Sequence, residues 1–401
     1  MTSTSDPDRG IPAPLRVGIL GYGNRALLAR LVDDHPDAVV SAVGDPDPGA
    51  LDRAREEHPH ATLTTSVDAL LDQPLDAVMI LTPDHTHEAL AIAALERGLS
   101  VFCEKPLAIT IDGADRILET AVRTGSRLYV GHNMRHLAMV RRMRELITAG
   151  AIGDVTAVWC RHFVGHGGDF YFKDWHADRR NTTGLLLQKG AHDIDVIHWL
   201  AGGVSRRVTA LGALTVYGEG ARSVRTDQRA GEVAEPELWP PHAHGSLHPT
   251  VDVEDLSMML MELDNGVLAS YQQCHYTPDY WRNYTVIGTR GRLENVGDMD
   301  AGEIRVWNRR HAGYADADEV HPFSTGAGTH GGADATLIDE FVRFALIGGP
   351  TETSPLAARE AVAAGVAATV SLRSGGTPQD VPAPSSAVRD RFARPRDADE
   401  R

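Results

Sequence analysis

Arg16-Val17-Gly18-Ile19-Leu20-Gly21-Tyr22-Gly23-Asn24-Arg25-Ala26 is a short apolar run that breaks into glycines. Leu27, Leu28, Leu31 and Val32 follow at helical spacing, so the stretch reads as strand, tight turn, helix. Gly21-x-Gly23-x-x-Ala26 fits the dinucleotide pattern G-x-G-x-x-G/A. Gly21 permits the sharp turn. Gly23 has no Cβ, so the backbone can approach a pyrophosphate, and Ala26 lets the helix lie close on the strand. The helix N-terminus, with Tyr22, Asn24 and Arg25 around it, offers N–H groups and partial positive charge to phosphates. An ordinary strand–helix turn can carry the same letters, so the next strand matters. Residues 38–44 are apolar and end at Asp45, about 20 residues on, where a carboxylate accepts hydrogen bonds from an adenosine ribose. An acid there repels a 2′-phosphate, which favours NAD over NADP. Asp45 also fits a plain turn in Asp45-Pro46-Asp47-Pro48.

The chain has 401 residues, enough for two domains. Its 55 acidic and 39 basic residues give a formal net charge of −16, which disfavours a nucleic-acid binder. Cys103, Cys160 and Cys274 lie far apart, in no metal spacing, and point to a reducing, cytoplasmic setting. No apolar run reaches membrane-spanning length. Residues 1–14 read as a disordered lead without a secretory core, and 375–401, rich in Pro, Asp and Arg, as a disordered tail.

Between these ends the pattern changes once. Strands at 75–81, 100–103 and 128–131 alternate with helices at 86–97 and 110–124. That alternation predicts an α/β domain with a doubly wound parallel sheet, a Rossmann domain, over 15–134. Ligands bind such sheets beyond the carboxyl ends of the strands. The expected lining is 21–25, Asp45, 82–87 (Thr82, Pro83 and His87 among them), 104–106 and 132–135. From 135 to 374 the chain reads as an α+β domain with a broad, mainly antiparallel open sheet. Its strands are 155–162, 207–216, 256–263, 267–276, 284–288 and 304–307, and its helices include 185–200, 333–347 and 356–374. Asp264-Asn265-Gly266 signals a hairpin, because Asn-Gly tolerates positive φ at both turn positions. Residues 218–250 read as a surface loop. Such a sheet needs a cover on its outer face, which predicts a homodimer or homotetramer.

Chemistry-bearing residues gather at the predicted strand ends. Glu104-Lys105-Pro106 follows a strand, so Lys105 can hold a substrate oxygen and favour its deprotonated form. His192 and Asp195, three apart at the start of a helix, share a face. Histidine suits a general base near neutral pH, and the carboxylate can orient the ring or bind a hydroxyl. Lys189, Asn133 and Trp175 are further candidates for substrate contact, with Phe170, Tyr171 and Phe172 able to wall a sugar-sized pocket. His162, His166, His176, His192 and Asp195 are conceivable metal ligands, but no HExxH or CxxC pattern supports a metal.

Taken in order, these motifs resemble the glucose–fructose oxidoreductase / inositol dehydrogenase (Gfo/Idh/MocA) family from residue 15 to 374. The resemblance rests on Val17–Gly23, Thr82-Pro83-Asp84-His85-Thr86-His87 and Glu104-Lys105-Pro106, then Gly184, Gly190-x-His192-x-x-Asp195 and Ile287-Gly288-Thr289-x-Gly291. It implies NAD(P)-dependent hydride transfer on a sugar, cyclitol or related polyol, with Lys105 and His192 at the reacting carbon. Many family dehydrogenases carry an Asp four residues before the His; here that residue is Gln188, which puts the usual Asp–His arrangement in doubt. Two other classes remain open: an NAD-dependent glycosidase or lyase using transient oxidation, and a non-catalytic dinucleotide sensor. Fold alone does not separate them.

Overall fold

The computed structural model describes residues 14–218, 241, 247–298, 301–324, 326 and 329–392. β1 (Leu15–Leu20), β2 (Ala38–Gly44), β3 (Thr62–Thr64), β4 (Ala77–Ile80), β5 (Ser100–Cys103) and β6 (Leu128–Val130) form a six-stranded sheet. All its pairs are parallel, in the order β3-β2-β1-β4-β5-β6. Ala77–Ile80 is buried throughout, as a strand covered on both faces must be. Helix Ile111–Thr124 begins where the Thr110 side chain accepts the Gly113 N–H at 3.0 Å and ends at Gly125, φ 72°. Strand order reverses between β1 and β4, which opens a crevice at their carboxyl ends.

β7 (Val155–Val164), β8 (Ser205–Ala213), β9 (Leu256–Leu263), β10 (Leu268–Cys274), β11 (Tyr280–Gly288), β12 (Gly291–Val296), β13 (Ala301–Trp307), β14 (Glu319–Ser324) and β15 (Gln379–Asp380) form a nine-stranded sheet. Its order is β14-β13-β12-β11-β7-β10-β9-β8-β15, antiparallel except where β7 meets β10. The 264–266 hairpin differs from its expected form. Only Gly266 takes positive φ, and the Leu263 N–H donates to Val267 O at 3.0 Å. This is a three-residue loop with glycine at its left-handed position.

The chain's last elements tie the two sheets together, which the division at 134 and 374 misses. Helix Ala333–Ile347 puts Leu337, Ile338, Phe341 and Val342 into the same core as Val17 of the first sheet and Leu28 and Val32 of the helix that follows it. Helix Pro355–Arg373 packs Ala358 and Val362 toward the first sheet and Ala361, Ala364 and Ala368 toward the second. A Cβ on Gly365 would stand 3.0 Å from Leu186 O and Leu187 Cα, so only small residues allow this approach. The expected disordered tail from 375 is ordered as far as Phe392. Gln379–Asp380 pairs with β8, and helix Ser386–Phe392 buries Val388 in the first sheet's core. The expected lead falls outside the described residues except Pro14, as does most of the 218–250 loop. Among the described residues no helix is long and apolar enough to cross a membrane.

The expected 185–200 helix is two: Leu185–Gln188 and Gly190–Ala201, with Lys189 between them. That junction faces the crevice.

Candidate active site

A cleft of about 970 Å³ runs along the carboxyl ends of the first sheet and under the second domain. Gly21, Gly23, Asn24, Arg25, Asp45, Thr82 and Pro83 line one half. Gly21 has φ 88°, and a Cβ on it would lie 2.9 Å from the backbone of Leu81, so the turn requires glycine. Nothing lies within 4 Å of a Cβ built on Gly23; the space beside it is open cleft. Asp45 accepts the Tyr22 N–H at 2.7 Å and the Asp47 N–H at 2.8 Å, which fixes its carboxylate at the end of β2. A tight turn, an open face and a fixed terminal carboxylate fit a dinucleotide.

Two expected cofactor residues do not line the cleft. Tyr22 is buried in the core, and its phenol donates to Glu57 and lies 2.9 Å from His58 Nε2. His87 is fully buried, with Nδ1 2.7 Å from Pro106 O and Nε2 2.9 Å from Thr82 O. It staples together the two loops that carry Thr82 and Lys105. Arg25 reaches the cleft but is spoken for: Nε donates to Glu104 at 2.7 Å, and both Nη atoms to Asp334 at 3.1 Å. Asp334 also takes the Asn133 amide at 2.9 Å and pairs with His330 at 2.8 Å. Sequence reasoning missed Asp334 and His330, which arrive from some 200 residues beyond the first domain.

The other half of the cleft brings the two domains together. Lys105 and His192 both line it. Lys105 Nζ donates to the backbone carbonyl of Gln188 at 3.3 Å. Burial pushes its pKa down to about 8, with Lys189 and Arg25 adding and Asp84 and Glu104 opposing. Burial, then Lys105 and Lys189, hold His192 well below its ordinary value, so the imidazole is neutral at pH 7. Among the described residues its Nδ1 has no hydrogen-bond partner, and the His132 ring stands edge-on at 6.3 Å.

Asp195 departs from its expected place. It lies one turn deeper, buried, where Arg135 donates to its two oxygens at 2.7 and 2.6 Å. It anchors the 132–135 loop to the second domain and does not line the cleft. Asn133, Trp175, Phe170, Tyr171 and Lys189 do line it. Phe172 packs instead against Tyr217 in a separate small core. Gln188 lines the cleft, and among the described residues its side-chain oxygen has no hydrogen-bond partner. Asp84, quoted in the Thr82–His87 motif but given no role, is a buried cleft-lining carboxyl whose Oδ2 has no hydrogen-bond partner among the described residues. Burial raises it well above the carboxylate range; Lys105 opposes the shift, and Glu104 adds to it. Behind the cleft, Asp193 takes His162 at 3.0 Å, Arg282 at 2.7 Å and the Tyr284 phenol. His176 pairs with Asp174. Among the described residues no group of three or more His, Cys, Asp or Glu could hold a metal ion.

Comparison with known proteins adds the following. A family model described as "Oxidoreductase family, NAD-binding Rossmann fold" matches residues 15–132, and one described as "GFO/IDH/MocA C-terminal domain" matches 140–294. Inositol 2-dehydrogenase 1 of Saccharopolyspora erythraea is 32% identical over 248 residues, 60% of this chain and 66% of that protein. The chain spans about half to two thirds of the length of the curated relatives it matches. Levoglucosan dehydrogenase in complex with NADH and levoglucosan superposes with a TM-score of 0.74 at 20% identity, over 92% of this chain and 100% of that one. The apo scyllo-inositol dehydrogenase of Lactobacillus casei gives 0.69 at 20% identity, over 92% and 98%. At such identities the likeness is one of fold.

Proposed function

The chain belongs to the Gfo/Idh/MocA oxidoreductase family, and from that premise we propose that it is an NAD-dependent dehydrogenase or reductase. Its substrate is a hydroxyl or ketone of a sugar, cyclitol or related polyol. One observation carries the reading. Lys105 from the cofactor domain and His192 from the second domain line one cleft, continuous with the glycine turn and Asp45.

Gly21, Gly23, Asn24, Thr82 and Pro83 would hold the dinucleotide, with Asp45 at the adenosine ribose. The nicotinamide, when bound, supplies the hydride acceptor or donor. The protein handles the proton. Neutral His192 accepts it from the substrate hydroxyl, while the Lys105 ammonium stabilises the oxygen's developing charge. In reduction the same groups work in reverse. Lys189, Asn133 and Trp175 contact the substrate. Asp195 acts through Arg135 and the 132–135 loop rather than on the substrate. The fixed carboxylate of Asp45 supports NAD over NADP, and the apolar outer face of the large sheet supports a homodimer or homotetramer. Three free cysteines are consistent with a cytoplasmic enzyme.

A panel of polyols and sugars with NAD or NADP, read at the NADH absorbance, tests the reading. NADH formation with at least one polyol, faster than with NADP, is expected. Absence of turnover with every polyol, or equal use of NADP, overturns it.

A further inference from the structure

Most cations lining the cleft face an anion. Arg25 faces Glu104 and Asp334. Lys105 lies in the field of Glu104. Just behind the wall, Arg282 faces Asp193 at 2.7 Å and Lys173 faces Asp169 at 2.8 Å. Lys189 is different. Its Nζ lies 5.5 Å from the ring centre of Tyr171 and 5.8 Å from that of Tyr280. Among the described residues no carboxylate pairs with it. Burial opposes its charge, but the two tyrosines outweigh burial and its pKa is raised. Aromatic ring faces solvate an ammonium without supplying a carboxylate to pair with it. The neighbouring His162 and His275 are themselves neutral, both pushed down to about 3, chiefly by burial. Among the described residues this end of the cleft therefore holds one ammonium with no carboxylate partner. A buried charge left unpaired is costly, and the cost is relieved by whatever brings the counter-charge.

Resting on the dehydrogenase reading above, we propose that Lys189, set in the cleft wall between Tyr171 and Tyr280, is an anion subsite that selects a sugar or cyclitol bearing a carboxylate. The single excess charge fits a carboxylate; a phosphate dianion would overshoot it. Position agrees. Lys189 and His192 are three residues apart at the start of helix Gly190–Ala201, so they share one face. Side chains so related sit roughly 5–6 Å apart at Cβ, a separation that one sugar ring spans between its carboxylate and its reacting carbinol. Tyr171 and Trp175, both in the lining, supply flat apolar surface for the ring itself.

The experiment is calorimetric titration of the full chain, saturated with NADH. D-glucuronate, D-galacturonate and D-mannuronate are compared with D-glucose, D-galactose and D-mannose, and glucose 6-phosphate is the dianion arm. At least one uronate should bind about tenfold or more tighter than its parent hexose, the scale of one charge-assisted hydrogen bond. Lys189→Met should bring that ratio to near one, and Lys189→Arg should keep it. Should the Met variant not fold, the wild-type ratios and the Arg variant decide. Uronates no tighter than their hexoses, tighter binding of the sugar phosphate than of every uronate, or a preference that survives in Lys189→Met overturns the proposal. The dehydrogenase reading fails separately, if uronates bind selectively yet no sugar of either series yields NADH with NAD.

Discussion

Lys105 and His192 line one cleft, and burial pushes both pKa values down, with opposite consequences. The imidazole loses its proton and becomes a base. The ammonium, starting higher, keeps its proton up to about pH 8 and remains a cation. A general base contributes roughly 10²–10⁴-fold in rate, and a single oxyanion contact roughly 2.7–4 kcal/mol. Lys105→Ala and His192→Ala should therefore each lower kcat by about two orders of magnitude or more, with NADH affinity little changed by fluorescence titration. Loss of NADH binding in both would mark a structural role instead. The sign of the pH dependence follows from Lys105. Its charge is complete below about 8 and is lost as pH rises through that value, so kcat should fall on the alkaline side. Lys105→Arg, whose charge persists to far higher pH, should move that limb out of the measured range. A wild-type rate that keeps climbing to pH 10 contradicts the assigned role.

At the scale of elements, the β1 turn separates two kinds of glycine. Gly21 is demanded by the fold: its φ is positive and a side chain would strike Leu81. Gly23 is not demanded by the fold, because a Cβ there meets nothing within 4 Å among the described residues, and on the dinucleotide reading the bound pyrophosphate accounts for it. Gly21→Ala should lower Tm by several degrees, since strained glycine sites cost more than the usual 1 kcal/mol. Gly23→Ala should leave Tm of the cofactor-free protein unchanged and weaken NADH binding. Equal melting losses in both variants would reject the distinction. The parallel half was legible because most of its strands are short apolar runs and because the helices after β4 and β5 are closed by Gly98 and Gly125. The second sheet was less so. β12, Gly-Arg-Leu-Glu-Asn-Val, is too polar to announce a strand. β14 contains Pro322, which argues against a strand and is tolerated only because β14 is the sheet's edge. In the site, Lys105, His192 and Asp45 could be found because each ends or starts a periodic segment. Asp334 and Asp84 could not: one reaches the cleft by a tertiary return of the chain, and the other owes its character to burial. Asp195 was misplaced because helical spacing gives the face but not the depth along it.

The whole molecule carries two further consequences. His162 and His275 are held at about 3, and His136 and His198 at about 4, all chiefly by burial. Their folded values lie below the unfolded value near 6.5. Their contribution to stability is complete above that value and is lost as pH falls toward 4 and then 3. Tm should therefore drop steeply between pH 6.5 and 4, with these four histidines alone taking up about four protons on unfolding near pH 5; a flat Tm across that window excludes it. The second consequence concerns the outer face of the nine-stranded sheet. Trp159 on β7, Leu211 on β8, Met258 and Leu260 on β9, and Leu268 on β10 are each at least half exposed. The register makes them one patch: Ser270 sits opposite both Trp159 and Leu260, and Leu211 sits opposite Met258. Large exposed apolar patches on sheets mark interfaces. Two such faces packed together would bury each other symmetrically, on the scale of roughly 1,200–2,000 Å² that stable complexes require. Light scattering at micromolar concentration should give at least twice the 43.3 kDa chain mass. Leu260→Glu, which puts a charge at the patch centre, should return that mass to the monomer while NADH still binds, because the cleft lies on the sheet's other side. A monomeric wild type, or an unchanged mass in Leu260→Glu, would show that the face is covered in some other way.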